Sequence, residues 1–296
     1  MMVEPFRIGF IGLGAMGFGM ASNLLSAGMH LNAVANRNRD PVDKLTAQGA
    51  TEHSSIAELV QDSDAIILCL PNSKIVETVI LEMLPVLRTG QLLIDTGTSS
   101  LTSTEQLAHT LAPKGVLFAE APLTGGIQQA ADGELGALVG SDQAVFPKVE
   151  DVLRHCCATV QYFGPIGAGG KAKFVNNYMV CGIAALVFEA FHIADLNGTD
   201  WSKLYDVVIR GSADSGVFRR VIGNARNGDF GGYVFDVNSA LKDMTYITEM
   251  NASLGRDTDL NKAVLDLFAR AEAEGYGDVR ISELLRPDIR TSRGGV

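Results

Sequence analysis

The chain has 296 residues, 47% hydrophobic and 20% charged, a mix that excludes a disordered chain and leaves room for two domains or one large one. Its formal net charge of −10 argues against a nucleic-acid partner, which requires a basic surface. Cys69, Cys156, Cys157 and Cys181 lack zinc-site spacing and are expected as buried, reduced thiols. No charged-then-apolar signal opens the chain, so the expected location is cytoplasmic, with an organelle left open because transit peptides are removed.

Arg7 to Ile11 (RIGFI) is a short apolar run that reads as a buried strand. Gly12-Leu13-Gly14-Ala15-Met16-Gly17 follows directly, then the helical pattern MASNLLSAG, closed by Gly28. Leu31 to Ala35 reads as a second strand. Strand, glycine elbow, helix and strand in this order are the context that a dinucleotide-binding reading requires. Gly12 permits the tight turn, Gly14 lets the backbone approach a pyrophosphate, and Gly17 lets helix lie close to strand. The helix N-terminus offers N–H groups and a positive dipole end to the phosphates. At the end of the second strand stand Asn36 and Arg37, with Arg39 two further on. A neutral residue plus guanidinium groups suits a 2′-phosphate, so NADP(H) is the expected cofactor and NAD(H) the alternative.

Further strands are expected at Ala65 to Leu70, Leu92 to Asp95, Val116 to Ala121 and Thr159 to Phe163. Helices are expected at Ser55 to Gln61, Leu101 to Leu111 and Asp142 to His155. Pro71-Asn72 and Thr96 to Ser99 fall at carboxyl ends of strands, where open α/β sheets bind ligands. The alternation predicts an α/β fold, a Rossmann-type doubly wound and mostly parallel sheet, over residues 1–164.

From Gly164 to Asn197 the chain runs without an internal proline beyond Pro165 and suits one long interdomain helix, 168–197. Lys173 and Asn177 are four apart and share a face. From Tyr178 to Phe188 every residue is apolar or glycine, which predicts a helix buried all round. Its interruption at Glu189 argues that it falls short of a membrane span of about 18 residues. Later segments keep helical spacing, so 165–296 is expected to be an all-α substrate and oligomerisation domain. Pro287 to Val296 (PDIRTSRGGV) is expected to fray. The histidines are scattered without metal-ligand spacing, and no metal site is expected.

Four motifs together resemble the β-hydroxyacid dehydrogenases, the family of 3-hydroxyisobutyrate dehydrogenase and of tartronate, glyoxylate and succinic semialdehyde reductases. They are GFIGLGAMG, the EAPLTGG loop at Glu120 to Gly126, GAGGKAKFVNN at Gly167 to Asn177, and LKDM at Leu241 to Met244. The resemblance implies a dimer or tetramer that converts a small hydroxy acid to its semialdehyde or keto form by hydride transfer. It selects Lys173, not Lys171, as general acid/base, with Asn177 beside it. Thr124, Gly125 and Gly126 would hold a substrate carboxylate through a hydroxyl and free N–H groups. Leu70, Pro71, Asn72 and Thr98 match cofactor-contact loops, and Lys242 matches a lysine near the nicotinamide. Gln129 and Glu134 depart from the glycine and threonine usual in the family and put the pocket's shape in question. The alternatives on the same fold are an imine reductase and a catalytically silent cofactor-binding module; relatives of both kinds lack the lysine. A free lysine titrates near 10.4, and burial together with an early helix position is expected to lower that value.

Overall fold

The computed structural model of the chain describes residues 6–292. By its internal contacts the chain divides into two compact units, Met1–Lys173 and Phe174–Val296.

The first unit alternates strands and helices: β1 (Arg7–Ile11), α1 (Ala15–Ser26), β2 (His30–Val34), α2 (Asp40–Ala47), β3 (Thr51–His53), α3 (Ile56–Gln61), β4 (Ala65–Leu68), α4 (Ser73–Met83), β5 (Leu92–Asp95), α5 (Leu101–Leu111), β6 (Leu117–Glu120), β7 (Leu123–Thr124), α6 (Ile127–Asp132), β8 (Leu135–Ser141), α7 (Phe146–Leu153) and β9 (Cys157–Gly164). They form one sheet, parallel in the order β3-β2-β1-β4-β5-β6. β8 then pairs antiparallel with β6 and β7 and parallel with β9. This is the expected doubly wound sheet. The order reverses between β1 and β4, and that switch point opens a crevice outside the carboxyl ends of the strands.

Strands β4 and β5 are buried along their whole length because helices cover both faces, which is why they read as unbroken apolar runs. Alternate residues feed opposite cores. Phe10, Ile67 and Ile94 enter one, and Ile66, Leu68 and Leu93 the other. β8 gives no such signal. Gly136 and Gly140 interrupt its pattern, and each stands where a side chain from a neighbouring strand needs the space. A Cβ at Gly136 would lie 2.6 Å from Thr124 Oγ1, and one at Gly140 would lie 2.0 Å from Glu120 Oε1.

The second unit is helical. α8 (Ala168–Leu196) starts in the first unit and continues into this one. It is followed by α9 (Trp201–Val208), α10 (Gly216–Ala225), α11 (Val237–Ser253), α12 (Asp259–Ala271) and α13 (Pro287–Ser292). Asp200, Ser215, Asp236 and Thr258 cap α9 to α12, each side chain accepting a backbone N–H of the first turn. The tail expected to fray is helical over 287–292, and Ile289 is buried there; residues 293–296 lie outside the described residues.

Two expectations about α8 need correction. It is not buried all round. Phe174, Cys181, Ala184, Phe188 and Phe191 are buried, while Val175, Met179, Leu186, Ile193 and Leu196 are exposed. Nor does Glu189 leave it short of a membrane span. By length and composition it is apolar enough to cross one, with an 18-residue window of mean hydropathy 1.8. A core helix of a soluble protein has the same length and composition, and a third of that window is buried.

Candidate active site

The glycine elbow joins β1 to α1. Gly12 has φ 102°, and a Cβ there would lie 2.2 Å from the Cys69 carbonyl oxygen. Only glycine fits both the dihedral and the close approach of the β4 loop. A Cβ on Gly17 would lie 2.0 Å from the Gly12 carbonyl oxygen, so this glycine sets the helix-to-strand distance, whereas Gly14 faces open space. Gly14 is also the N-cap of α1 and has no side-chain cap. An uncapped helix N-terminus with open space at its backbone fits a pyrophosphate. Leu13, Ala15 and Met16 complete the turn around it.

The other predicted cofactor residues of this unit stand at the carboxyl ends of neighbouring parallel strands. Asn36 and Arg37 follow β2 and are exposed. Arg39 is already engaged. Its guanidinium donates to both Glu52 carboxylate oxygens at 3.0 Å and to Asp43 at 3.1 Å, and these partners raise its pKa, Glu52 first. Among the described residues Arg37 makes no such ion pair. Leu70, Pro71 and Asn72 follow β4, and the Asn72 side chain accepts the Ile75 N–H as N-cap of α4. Thr98 follows β5 in a loop held by the buried Asp95 carboxylate, which accepts from Gly97 N and Ser99 Oγ, both at 2.9 Å.

The Thr124–Gly126 loop joins β7 to α6. Gly125 has φ 110°, and among the described residues the hydrogen bond of the Thr124 hydroxyl is a long one of 3.4 Å, to the Gly136 carbonyl. The loop is fixed from beneath. α6 packs on the dinucleotide helix α1, where a Cβ on Gly19 would meet Ala130 at 2.7 Å, and Asn23 Nδ2 donates to the Ala130 carbonyl at 2.8 Å. One expectation fails here. The Gly126 N–H is not open, because it donates to Gln129 Oε1 at 2.9 Å. The family's usual glycine at position 129 has no side chain to do this. Glu134, the other departure, is exposed.

Lys173 is half-buried, and its Nζ donates to the Leu123 carbonyl at 2.6 Å, immediately before Thr124. Lys171 is exposed. The start of α8 is held by a residue to which the sequence reading gave no role. Glu120, at the end of β6, is 3% exposed. Its carboxylate accepts from Gly167 N at 2.7 and 2.9 Å, Gly169 N at 3.0 Å and Gly170 N at 3.4 Å. Burial pushes the Glu120 carboxyl up to about 7 against the downward pull of these N–H donors, and the negative charge of Asp95 adds to the rise. The available signal was an acidic residue ending an apolar strand, before a helix whose first turn is glycine-rich.

In the second unit Asn177 is buried, and its Nδ2 donates to the buried Asp243 carboxylate, while its Oδ1 accepts from Asn176 Nδ2 at 2.9 Å. Lys242 Nζ lies 3.3 Å from Asp243 Oδ1 and 5.8 Å from the Tyr246 ring centroid. Asp243 therefore faces neither solvent nor Lys242 alone. A carboxylate oxygen accepts the amide N–H here, so this bond fixes which way the Asn177 amide points. A hollow lined by Gly228–Gly231 and by residues 286–288 holds none of these groups. Among the described residues no group of three His, Cys, Asp or Glu side chains is placed to hold a metal ion.

A Rossmann sheet with this elbow defines a dinucleotide-binding protein. Residues 7–164 match the family described as the NAD binding domain of 6-phosphogluconate dehydrogenase, and 167–287 that described as NAD-binding of NADP-dependent 3-hydroxyisobutyrate dehydrogenase. The chain is 31% identical to 2-(hydroxymethyl)glutarate dehydrogenase of Eubacterium barkeri over 96% of its own length and 95% of that protein's. It is 30% identical to the NAD-dependent L-serine dehydrogenase of Pseudomonas aeruginosa over 92% and 94%. A solved structure of Mycobacterium tuberculosis 3-hydroxyisobutyrate dehydrogenase with L-serine superposes with TM-score 0.85 at 26% identity, covering 98% of this chain and 99% of that one. The chain belongs to the β-hydroxyacid dehydrogenase family, whose fold takes a nicotinamide cofactor and which includes the dehydrogenases of small hydroxy acids named above.

Proposed function

We propose that the protein interconverts a small β-hydroxy acid and its semialdehyde or keto form, with NADP(H) preferred over NAD(H). The observation that carries this reading is the placement of Lys173, whose Nζ is held on the Leu123 carbonyl beside the Thr124–Gly126 loop. When bound, the nicotinamide supplies or accepts the hydride. Lys173 donates a proton to the carbonyl oxygen during reduction and accepts the hydroxyl proton during oxidation. The Thr124 hydroxyl and the Gly125 N–H hold the carboxylate. The family resemblance gives Asn177 the orienting of the reacting oxygen, and the Asp243 carboxylate accepts from its amide. Lys242 keeps the cofactor role that the family resemblance gives it. The names of the relatives support the substrate class, since hydroxymethylglutarate, serine and 3-hydroxyisobutyrate all carry a hydroxyl on the carbon β to a carboxylate.

The test is turnover of a panel of three- to five-carbon hydroxy acids and aldehydes with both cofactors. Lys173→Ala should lose about three orders of magnitude or more in kcat, within the range general acid/base groups contribute, and still bind cofactor. Lys171→Ala should keep near-wild-type turnover. Loss in both variants, or in neither, overturns the assignment.

A further inference from the structure

Glu120 is a buried carboxylate with no part in the chemistry above. It stands at the end of β6, in register with Asp95 on β5, and three residues before Leu123. Its oxygens collect the N–H groups of Gly167, Gly169 and Gly170, and Leu123 collects the ammonium of Lys173. One short strand segment therefore grips the first two turns of α8 at both places. The surroundings are shaped for this contact. Gly140 leaves the space that the carboxylate fills, and a Cβ on Gly169 would lie 2.2 Å from the Leu138 carbonyl oxygen. The other charged groups near the turn are Glu105 Oε1 and Lys171 Nζ, 3.6 and 3.9 Å from where a Cβ on Gly167 would stand.

We infer that Glu120 is a positioning residue: its carboxylate locks the first turn of α8 to the end of β6 and so sets Lys173 on the Leu123 carbonyl. An acceptor at a helix N-terminus satisfies donors that the helix itself leaves open, and a negative charge there is favourable. Removing the charge leaves a turn of three glycines, the most pliable residues available, to carry the lysine. The inference rests on Lys173 being the acid/base.

The experiment compares Glu120→Gln and Glu120→Asp with wild type and Lys173→Ala. At about pH 8, where Glu120 is ionised, Glu120→Gln should lower kcat about 10- to 100-fold. Cofactor Kd should stay within about threefold, and hydrogen exchange at the Gly167, Gly169 and Gly170 amides should rise. Glu120→Asp, which keeps the charge, should recover most of both losses. In the reducing direction Lys173 must be protonated and imposes only an alkaline limb. Protonation of Glu120 should then give the wild type an acid limb as pH falls through about 7. That limb should be absent in Glu120→Gln and present in Glu120→Asp. If exchange rises in Glu120→Gln while kcat and the acid limb stay as in wild type, the positioning role is wrong. If Lys173→Ala also keeps its turnover, the fault lies in the reading of Lys173. Should Glu120→Gln fail to fold, a Glu120→Asp enzyme without the acid limb would overturn the inference by itself.

Discussion

On the proposed function, the Gln129 side chain competes with the substrate for one N–H group. Its carbonyl accepts the Gly126 N–H that the family's loop sequence leaves open, so an incoming carboxylate must displace it or rely on Thr124 and Gly125. A hydrogen bond of this kind is worth about 0.5–1.5 kcal/mol net. Gln129→Ala should therefore lower KM for hydroxy acids about 3- to 10-fold and leave kcat within about twofold. Steady-state kinetics check this, and a raised KM would mean that Gln129 itself holds the substrate. Arg37 is the second residue with a separable effect. With Arg39 committed to Glu52 and Asp43, Arg37→Ala should raise KM for NADPH about 10- to 100-fold, the scale of charge-assisted bonds at about 1.5–3 kcal/mol. KM for NADH should stay unchanged, and an unaltered preference would remove the NADP assignment.

The elements divide the glycines of the elbow by role. Gly17 governs packing between α1 and β1, while Gly14 borders space that a ligand would fill. Gly17→Ala should lower Tm by several degrees as α1 is forced off the Gly12 carbonyl, since overpacking costs about 1–3 kcal/mol. Gly14→Ala should keep Tm near wild type in the absence of cofactor and raise cofactor Kd at least about tenfold. Thermal melts with and without NADPH separate the two, and equal loss of Tm would show that both glycines serve packing alone. α8 shows the same division along one helix. Its start is fixed by Glu120 and Lys173, and its later turns carry an apolar face to the surface.

For the whole molecule, that face bears on assembly. Val175, Met179, Leu186 and Ile193 are exposed at spacings of four, seven and seven, a single stripe along the helix. Each such side chain gains about 1.5–3 kcal/mol when buried. The family resemblance implies a dimer or tetramer, and in such an assembly this stripe is the face expected to meet the second copy. Leu186→Glu should shift the protein to a smaller species in light scattering at micromolar concentration, with native circular dichroism retained. A wild type that is monomeric under those conditions would overturn this.

The sheet, the glycine elbow and the helical second unit were legible in the amino-acid sequence because local physics fixes each of them. Buried parallel strands read as apolar runs, helices keep their period, and Gly12, Gly14 and Gly17 occur where backbones must turn or touch. The choice of Lys173 over Lys171 came from the family resemblance; Lys173 is half-buried and Lys171 exposed. Tertiary structure alone decided the contacts between residues distant in sequence. Glu120 finds its N–H partners 47 to 50 residues away, and Asn177 finds Asp243 after 66. Arg39 was lost to Glu52, and β8 formed despite two glycines because Thr124 and Glu120 occupy the space they leave. Period and propensity record what a segment does by itself; which carboxylate meets which amide depends on how the sheet brings strand ends together.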